Sequence, residues 1–373
     1  MTGSGSARLC PKTLREKQID HAVLSSLASL RYLTGFTASI ETGPSPFTPV
    51  AGVLLVERGG EPHLLLADSE PIEGVFSGMA TSTFISYTIE KPLAAVADLK
   101  AKLLERLRML AAGKVGIESE ALPAAVLEPL RSECPRLDFV DITAALSEIR
   151  IIKDDEEIEV LRQCCALCDS GQKLAKKLAR AGMTEVELFA EVRKGMESQE
   201  GGRLPLLADV VSGPRTARVG GAPTSRQIEP GDLIITDLVP RHSGYWGDSC
   251  NTCVAGEPTA EQRKFFAGIS EALHAAIDRV RPGLRACDLD SSVRQHVLKL
   301  GGGYPHHTGH GLGVTWHEEP RICPYNTLAL RSNMIIALEP GIYFKDRWGM
   351  RLEYVVRVTG TGAEVLSKFQ HEL

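Results

Sequence analysis

The sequence predicts a two-domain α+β protein, and three observations lead to this prediction. The chain has 373 residues, which suggests about two domains of ordinary size. Residues 1–150 alternate short apolar runs with helical patterns, which is typical of an α/β module with its own sheet. Residues 151–373 instead combine long helices with two antiparallel strand pairs. We therefore place the domain boundary near residue 150.

The first domain is predicted to contain five short strands and one clear amphipathic helix. Strands are predicted at 19–24, 50–56, 63–66, 114–117 and 137–140. Arg58–Glu61 is typical of a turn that joins the second and third strands as a hairpin. A helix is predicted over 93–110, because apolar residues recur there every three or four positions. This region has no dense cluster of His, Asp and Glu, so we assign it to shape and assembly.

The second domain begins with a charged stretch, Arg150–Glu157, whose acids favour the start of a long helix running towards Leu178. Further helices are predicted at 184–198, 260–280 and 286–300. Two antiparallel strand pairs are predicted at 233–254 and 334–358, and each carries acidic residues on both of its strands.

The composition excludes several classes of protein. The chain carries 42 basic and 47 acidic residues, and this net charge of −5 argues against nucleic acid as a partner. No apolar run approaches the ~18 residues of a membrane span, and residues 1–10 show no secretory signal. The nine cysteines are scattered, which fits reduced thiols better than disulfides. We expect a cytoplasmic protein with neither a membrane nor a nucleic-acid partner.

The first strand pair carries Asp237 and Asp248. A hairpin that is symmetric about a centre between His242 and Ser243 places these two carboxylates directly opposite each other. Like charges in such a position are destabilising unless another group neutralises them. Two solvated strand acids are the alternative, which the bulky apolar neighbours of both residues disfavour.

The second strand pair repeats this pattern with Glu339 and Glu353. Glu339 follows the apolar run Met334–Leu338, which should be buried, and a buried glutamate is normally paired or bound to a metal. A structural salt bridge to Arg351 is the alternative interpretation. One guanidinium satisfies one glutamate, however, and not four carboxylates.

Four histidines lie between the two strand pairs, at His306, His307, His310 and His317. Glycines flank His310 and allow a close approach of the backbone. A phosphate-binding loop is disfavoured, because neither the dinucleotide fingerprint nor the P-loop spacing is present.

Charge arithmetic points to metal ions. The four carboxylates carry −4, one neutral imidazole completes five ligands, and two divalent cations supply the +4 that allows burial. Carboxylate-rich ligands without thiolates suit Mn²⁺, Co²⁺ or Zn²⁺. Two such ions share a bridging water and polarise a carbonyl, which predicts hydrolysis of an amide or related C–N bond.

The sequence resembles the aminopeptidase P / prolidase / creatinase family of metallopeptidases over nearly its whole length. The matching blocks are 231–237, 244–248, 308–313, 317–320, 338–343 and 350–353. Residues 20–36 resemble the family's N-terminal domain, and 146–157 its linker. The resemblance implies a creatinase-type N-terminal α/β domain, a C-terminal pita-bread domain with a curved antiparallel sheet, and a homodimer.

The resemblance also implies a dinuclear centre and roles for individual residues. Its metal ligands would be Asp237, Asp248, His310, Glu339 and Glu353. Asp248 and Glu353 would bridge two divalent ions, with Mn²⁺ expected first and Co²⁺ or Zn²⁺ as alternatives. Glu339 would assist a metal-bridging hydroxide as the base, and His317 would stabilise the developing oxyanion. The surrounding or substrate-side residues would be Arg351, His306 and His307.

The function implied is that of a metal-dependent Xaa-Pro peptidase of the aminopeptidase P or prolidase type. One departure bears on the substrate, because the position of a further family histidine is occupied by Gly220. A hydrolase or lyase of a small non-peptide metabolite, similar to ectoine hydrolase, therefore stays open as an alternative. A non-catalytic binding module with the same fold is the third possibility.

Overall fold

The computed structural model describes residue 14 and residues 18–38, 45–58, 60–72 and 74–373. The chain divides between Ile149 and Arg150 into two compact units. Residues 1–10 and Gly59 of the expected turn lie outside the described residues. None of the described helices is both long and apolar enough to cross a membrane.

The first unit is built around a mixed six-stranded sheet. Its strands are β1 (His21–Leu24), β2 (Gly52–Val56), β3 (His63–Ala67), β4 (Ala80–Phe84), β5 (Gly113–Ile117) and β6 (Leu137–Asp141). They lie in the order β4-β3-β2-β1-β5-β6. The expected hairpin is confirmed, because β2 and β3 pair antiparallel with Leu54 opposite Leu64.

Helices pack against this sheet, whose central strands β1, β2 and β3 are buried on both faces. They are α1 (Leu27–Thr34), α2 (Ala95–Leu107) and α3 (Ala124–Glu133), and α4 (Thr143–Arg150) follows at the boundary. The amphipathic helix predicted over 93–110 is α2, whose Leu99, Leu103 and Leu107 belong to the core of this unit. Their spacing of four places them on one helix face, and this periodicity made the helix predictable.

The second unit contains four helices and eleven strands among the described residues. The helices are α5 (Asp155–Leu178), α6 (Glu185–Glu200), α7 (Ala260–Arg279) and α8 (Ala286–Leu298). The strands are β7 (Leu206–Ser212), β8 (Leu233–His242), β9 (Tyr245–Trp246), β10 (Cys250–Val254), β11 (Gly309–Gly311), β12 (Glu318–Ile322), β13 (Ile335–Leu338), β14 (Gly341–Phe344), β15 (Trp348–Arg351), β16 (Tyr354–Val358) and β17 (Ala363–Val365). The charged stretch starts α5 as expected, because Asp154 and Glu157 form a capping box.

The strands of this unit are antiparallel and form three groups. One sheet has the order β10-β8-β7 with β9 paired to β8, a second has the order β12-β11-β13-β16-β17, and β14 pairs with β15. Buried side chains of α7 and α8 pack with those of the second sheet in one apolar cluster. Helices therefore support the strands that carry the acidic residues.

The first acidic hairpin forms, but its register differs from our prediction by two residues. Ser243 and Gly244 make a two-residue turn in which both residues have positive φ, so His242 pairs with Tyr245. Asp237 therefore lies opposite Cys250 and not opposite Asp248. A shift of two keeps every side chain on its original face, so both aspartates still point to the same side.

The second acidic hairpin is confirmed and is interrupted at its glutamates. β13 pairs with β16, where Leu338 lies opposite Tyr354, and β14 pairs with β15, where Gly341 lies opposite Arg351. Both ladders share one register, so Glu339 and Glu353 oppose each other in the gap between them. Regular strand pairing stops at this gap, which leaves both glutamate side chains beside the first hairpin.

Candidate metal centre and active site

The acidic residues of both hairpins line one cavity of about 340 Å³ in the second unit. The cavity wall includes the polar side chains of Asp209, Asp237, Asp248, His306, His307, His310, His317, Glu339, Arg351 and Glu353. Every site residue that the sequence predicted therefore borders the same cavity. Whether the five expected ligands bind metal stays a prediction.

One group of converging ligand atoms comprises Asp248, His310 and Glu353, whose donor atoms lie within 4.8 Å of one another. His310 Nε2 is 3.4 Å from Asp248 Oδ2 and 3.7 Å from Glu339 Oε1. A second group, formed by the imidazoles of His307, His310 and His317, converges within the same distance. His310 belongs to both groups and is central to the site.

The backbone around His310 explains how this side chain reaches the carboxylates. A Cβ atom at Gly309 would overlap with the Ala337 carbonyl, and one at Gly311 would overlap with the Glu319 carbonyl. The two glycines therefore allow β11 to lie tightly between β12 and β13. The His310 Nδ1–H donates to the Gly311 carbonyl at 2.9 Å, which leaves Nε2 to face the acids.

The electrostatics of the carboxylates fit divalent cations. Burial, with the repulsion of neighbouring acids, raises the pKa of Asp237 to about 8, although Arg351 opposes the shift. Burial also raises the pKa values of Asp248 and Glu353. Asp237 Oδ1 and Glu353 Oε1 are buried and have no hydrogen-bond partner. Unpaired buried carboxylate oxygens of this kind are what a bound cation stabilises.

Glu339 differs from the other three acids. Burial alone would raise its pKa, but a hydrogen bond from His307 and the charges of His306, Arg351 and His310 lower it on balance. His307 Nε2 donates to Glu339 Oε1 at 2.7 Å. Glu339 is therefore the carboxylate that this site keeps ionised most strongly.

Arg351 supplies one positive charge to the cluster. Its guanidinium forms an ion pair with Asp237, lies 3.8 Å from Glu339 Oε2 and donates to the Val219 carbonyl. The salt-bridge alternative therefore accounts for Asp237 and not for Asp248 or Glu353. The cluster would remain strongly negative if all four acids were ionised.

Two histidines beside the acids are held neutral at physiological pH. Burial, with the nearby charges of His310 and His307, lowers the pKa of His317 to about 3. His317 Nδ1 faces Arg321 at 3.5 Å, and because an arginine only donates, the ring proton belongs on Nε2. Burial likewise lowers the pKa of His306 to about 4, and its Nδ1–H donates to the His307 carbonyl at 2.8 Å.

Three residues at the site were not identified from the sequence. Asp209 lies on β7 directly opposite Asp237. Trp316 lines the cavity with its ring 4.2 Å from that of His317. Arg321, on β12, lies beside His317. The pairing of β7 with β8 would have revealed Asp209, but that pairing joins segments far apart in the sequence.

Comparisons with known proteins identify relatives of both units of the chain. The family model described as Metallopeptidase family M24 matches residues 159–360, and the Creatinase/Prolidase N-terminal domain matches residues 9–152. An Xaa-Pro dipeptidase of Pyrococcus horikoshii is 32% identical over 275 residues, which cover 73% of this chain and 76% of the relative. An Xaa-Pro dipeptidase of Pyrococcus furiosus is 34% identical over 262 residues, which cover 69% and 75% respectively.

Solved structures show the same similarity in three dimensions. The prolidase from Pyrococcus horikoshii OT3 superimposes with a TM-score of 0.83 and 26% identity, over the full length of both chains. The prolidase from Pyrococcus furiosus gives a TM-score of 0.81 and 27% identity, over 96% of this chain and 99% of that one.

Proposed function

Because the chain belongs to metallopeptidase family M24, we propose that it hydrolyses Xaa-Pro bonds in small peptides. The family prediction and the predicted fold class are confirmed by both family matches and by the solved structures. The observation that carries the proposal is the convergence of carboxylates and His310 in one cavity of the part matched to this family. The relatives named Xaa-Pro dipeptidase favour a peptidase over the metabolite enzyme and over the binding module.

The family implies divalent metal ions, and we assign two of them to the cavity. The proposed ligands are Asp237, Asp248, His310, Glu339 and Glu353. Asp248 and Glu353 are the proposed bridging residues, and Mn²⁺ is the proposed ion, with Co²⁺ or Zn²⁺ as substitutes. Raised pKa values and partnerless oxygens support this assignment, because both mark buried carboxyl groups whose ionised form the protein alone does not stabilise.

Divalent ions bound here would lower the pKa of water and polarise the scissile carbonyl. Glu339 is the proposed base, since its carboxylate is ionised and lines the cavity in which the attacking water would bind. His307 donates to the same carboxylate and fixes its orientation. Glu339 then delivers the proton to the leaving proline nitrogen, which makes it a proton shuttle.

His317 is the proposed donor to the developing oxyanion. It is neutral, its Nδ1 faces Arg321, and its Nε2–H is left for the substrate. Removing one donor of this kind from a hydrolase typically costs ~2.7–4 kcal/mol in the activation free energy. His306 is proposed to support His307, since its Nδ1–H holds the His307 carbonyl.

We also propose the organisation of the whole protein. The proposed domains are 1–150, of the creatinase type, and 151–373, which carries catalysis. The matches to two separate family models support this division. A homodimer and a cytoplasmic location complete the proposal, and the eight described cysteines support the location because all are free thiols.

Activity on peptides tests this function directly. Protein loaded with Mn²⁺ should release proline from Xaa-Pro dipeptides and should not cleave Pro-Xaa dipeptides of the same composition. His317→Gln should lower kcat by about 10²-fold or more while the metal content stays unchanged. Failure of the loaded protein to cleave any Xaa-Pro dipeptide or Xaa-Pro-Yaa tripeptide would overturn the proposal.

A further inference from the structure

Asp209 places a fifth carboxylate in the cavity, outside the expected ligand set. It lies opposite Asp237 in the pairing of β7 with β8. Directly opposed residues share one face of a sheet, with Cβ atoms ~4.5–5.5 Å apart, so both carboxylates face the same side. Like charges in this position are destabilising unless a cation neutralises them.

Arg351 forms its ion pair with Asp237, and no side chain of the described residues pairs with Asp209 itself. Asp209 has no hydrogen bond or ion pair with any residue in the described part of the chain. The nearby guanidinium of Arg351 is already engaged by Asp237 and by the Val219 carbonyl. Asp209 is half-buried and lines the cavity, so its free carboxylate is accessible to a bound molecule.

Gly220 makes room for this carboxylate. A Cβ atom at Gly220 would overlap with Asp209 Oδ2, so no other residue fits there while Asp209 keeps its position. The carboxylate of Asp209 is therefore placed beside Asp237, one of the five expected metal ligands, and it lies outside that expected set.

A series of contacts connects Asp209 through the site to His317 and Arg321. Contacts run from Asp209 to Asp237, then through Arg351 and Glu339 to His307. From His307 they continue to His317 and Arg321. The free carboxylate of Asp209 on the cavity wall thus complements a peptide whose N-terminal residue carries a positive charge.

We propose that Asp209 determines specificity by binding a cationic group of the substrate residue that precedes the scissile bond. This inference rests on the proposed Xaa-Pro peptidase function. The cation is either the side-chain ammonium or guanidinium of a basic residue or the α-ammonium of any N-terminal residue. Both have the same chemistry, a charged N–H donor meeting a carboxylate.

The main test compares wild type with Asp209→Asn on Lys-Pro and norleucyl-Pro, which have similar length but different charge. If Asp209 binds the side chain, the variant loses kcat/KM on Lys-Pro by about tenfold or more relative to norleucyl-Pro. If it binds the α-ammonium, both dipeptides lose kcat/KM alike, while the desamino analogue hexanoyl-Pro does not. Unchanged kcat/KM on both dipeptides would overturn the inference.

Two controls separate this role from others. Asp278→Asn removes the same charge from an exposed position on α7 and should change neither substrate's kcat/KM. Metal content should be equal in wild type and Asp209→Asn, because a loss of metal would make Asp209 a ligand and overturn the inference.

A binding measurement separates failure of this inference from failure of the proposed function. If wild type cleaves no Xaa-Pro peptide, the proposed function fails, and calorimetry with lysinamide, norleucinamide and hexanamide still tests Asp209. Wild type should bind lysinamide more tightly than norleucinamide, or norleucinamide more tightly than hexanamide. Asp209→Asn should remove that preference. Equal binding by both proteins would overturn the inference.

Discussion

At His310, one hydrogen bond decides which ring nitrogen faces the acids. The Gly311 carbonyl accepts the Nδ1–H, so Nε2 points towards Asp248 and Glu339. Burial lowers the pKa of this histidine, but the hydrogen bond and charge of Asp248 raise it overall. The ring is therefore oriented before any ligand binds, which is the usual arrangement of a metal-binding histidine.

Gly220 permits a prediction at the scale of one residue. Gly220→Ala forces the Asp209 carboxylate to move, because the new Cβ would occupy the position of Oδ2. We expect Gly220→Ala to reproduce the kcat/KM changes of Asp209→Asn. Unfolding by urea should show a change in stability of less than ~1 kcal/mol, since the displaced group is the end of a flexible side chain.

Gly221→Ala is the matched control for this substitution. A Cβ at Gly221 would lie 3.3 Å from an Arg215 nitrogen, a contact that a small side-chain shift relieves. Gly221→Ala should therefore leave the kcat/KM ratio of Lys-Pro to norleucyl-Pro unchanged. If both substitutions had the same effect on this ratio, the backbone at residues 220 and 221, and not the Asp209 carboxylate, would control selectivity.

At the scale of elements, the sequence predicted the longest helices and the hairpins, but it missed strand β4 and the register of the first acidic hairpin. The apolar periodicity of α2 and the capping acids of α5 are local signals, and both predicted their helices. The register of the β8–β9 hairpin was wrong, because the turn comprises only Ser243 and Gly244. Turn length depends on backbone conformation at these two residues, which the surrounding tertiary structure selects.

The loop that carries His317 is held by a buried ion pair, Lys153–Glu318. The Lys153 Nζ lies 2.7 Å from Glu318 Oε2, and the two side chains are 1% and 6% exposed. Glu318 Oε1 also accepts the Thr315 N–H at 3.2 Å. Because 165 positions separate the partners in the sequence, no local pattern could have indicated this contact.

Breaking this pair should destabilise the fold strongly. Lys153→Met leaves the Glu318 charge buried without a partner, and such changes cost ~3–5 kcal/mol of unfolding free energy. Lys153→Met with Glu318→Gln should recover part of that loss, because the buried charge is then absent. Urea denaturation measures both values.

An exposed pair provides the comparison for Lys153. Arg263 and Glu257 lie 3.3 Å apart with side chains 60% and 95% exposed. Arg263→Met should change the unfolding free energy by less than ~1 kcal/mol, since solvent screens the pair. If Lys153→Met also changed the unfolding free energy by less than ~1 kcal/mol, burial would not strengthen the Lys153–Glu318 pair.

At the scale of the whole molecule, the candidate site is a product of tertiary structure. Asp237 comes from one hairpin, Glu353 from another, and His310 from the strand between them. The types of these residues and their order in the sequence indicated that the acids need cations. The sequence could not show which additional side chains, such as Asp209 and Trp316, the folded chain brings to the same cavity.

The buried acids predict how the stability of metal-free protein depends on pH. Between about pH 4 and pH 8 the folded state retains a proton on Asp237 that the unfolded state releases, because its pKa rises from 3.8 to about 8. The folded state then binds more protons, so stability is highest at the acidic end and falls as the pH rises. The pKa values of Asp248 and Glu353 are also raised in the folded state.

Thermal unfolding in EDTA checks this dependence. Wild type should lose more Tm between pH 5 and pH 8 than Asp237→Asn, which cannot titrate at this position. Saturating Mn²⁺ should raise the Tm most at pH 8, where the ionised carboxylates bind it. A free Mn²⁺ concentration of 100 times Kd adds ~2.7 kcal/mol to the unfolding free energy. If Tm fell equally with pH in wild type and Asp237→Asn, the electrostatic account would be contradicted.

Counting bound metal is the most direct test that the cavity acids hold cations. Elemental analysis after Mn²⁺ loading and desalting should find two ions per wild-type chain. Asp248→Asn, which removes a proposed bridging carboxylate, should bind fewer ions and lose peptidase activity, whereas Asp278→Asn should retain both ions. A wild-type chain that binds no divalent ion, or an Asp248→Asn chain that keeps both, would contradict the account.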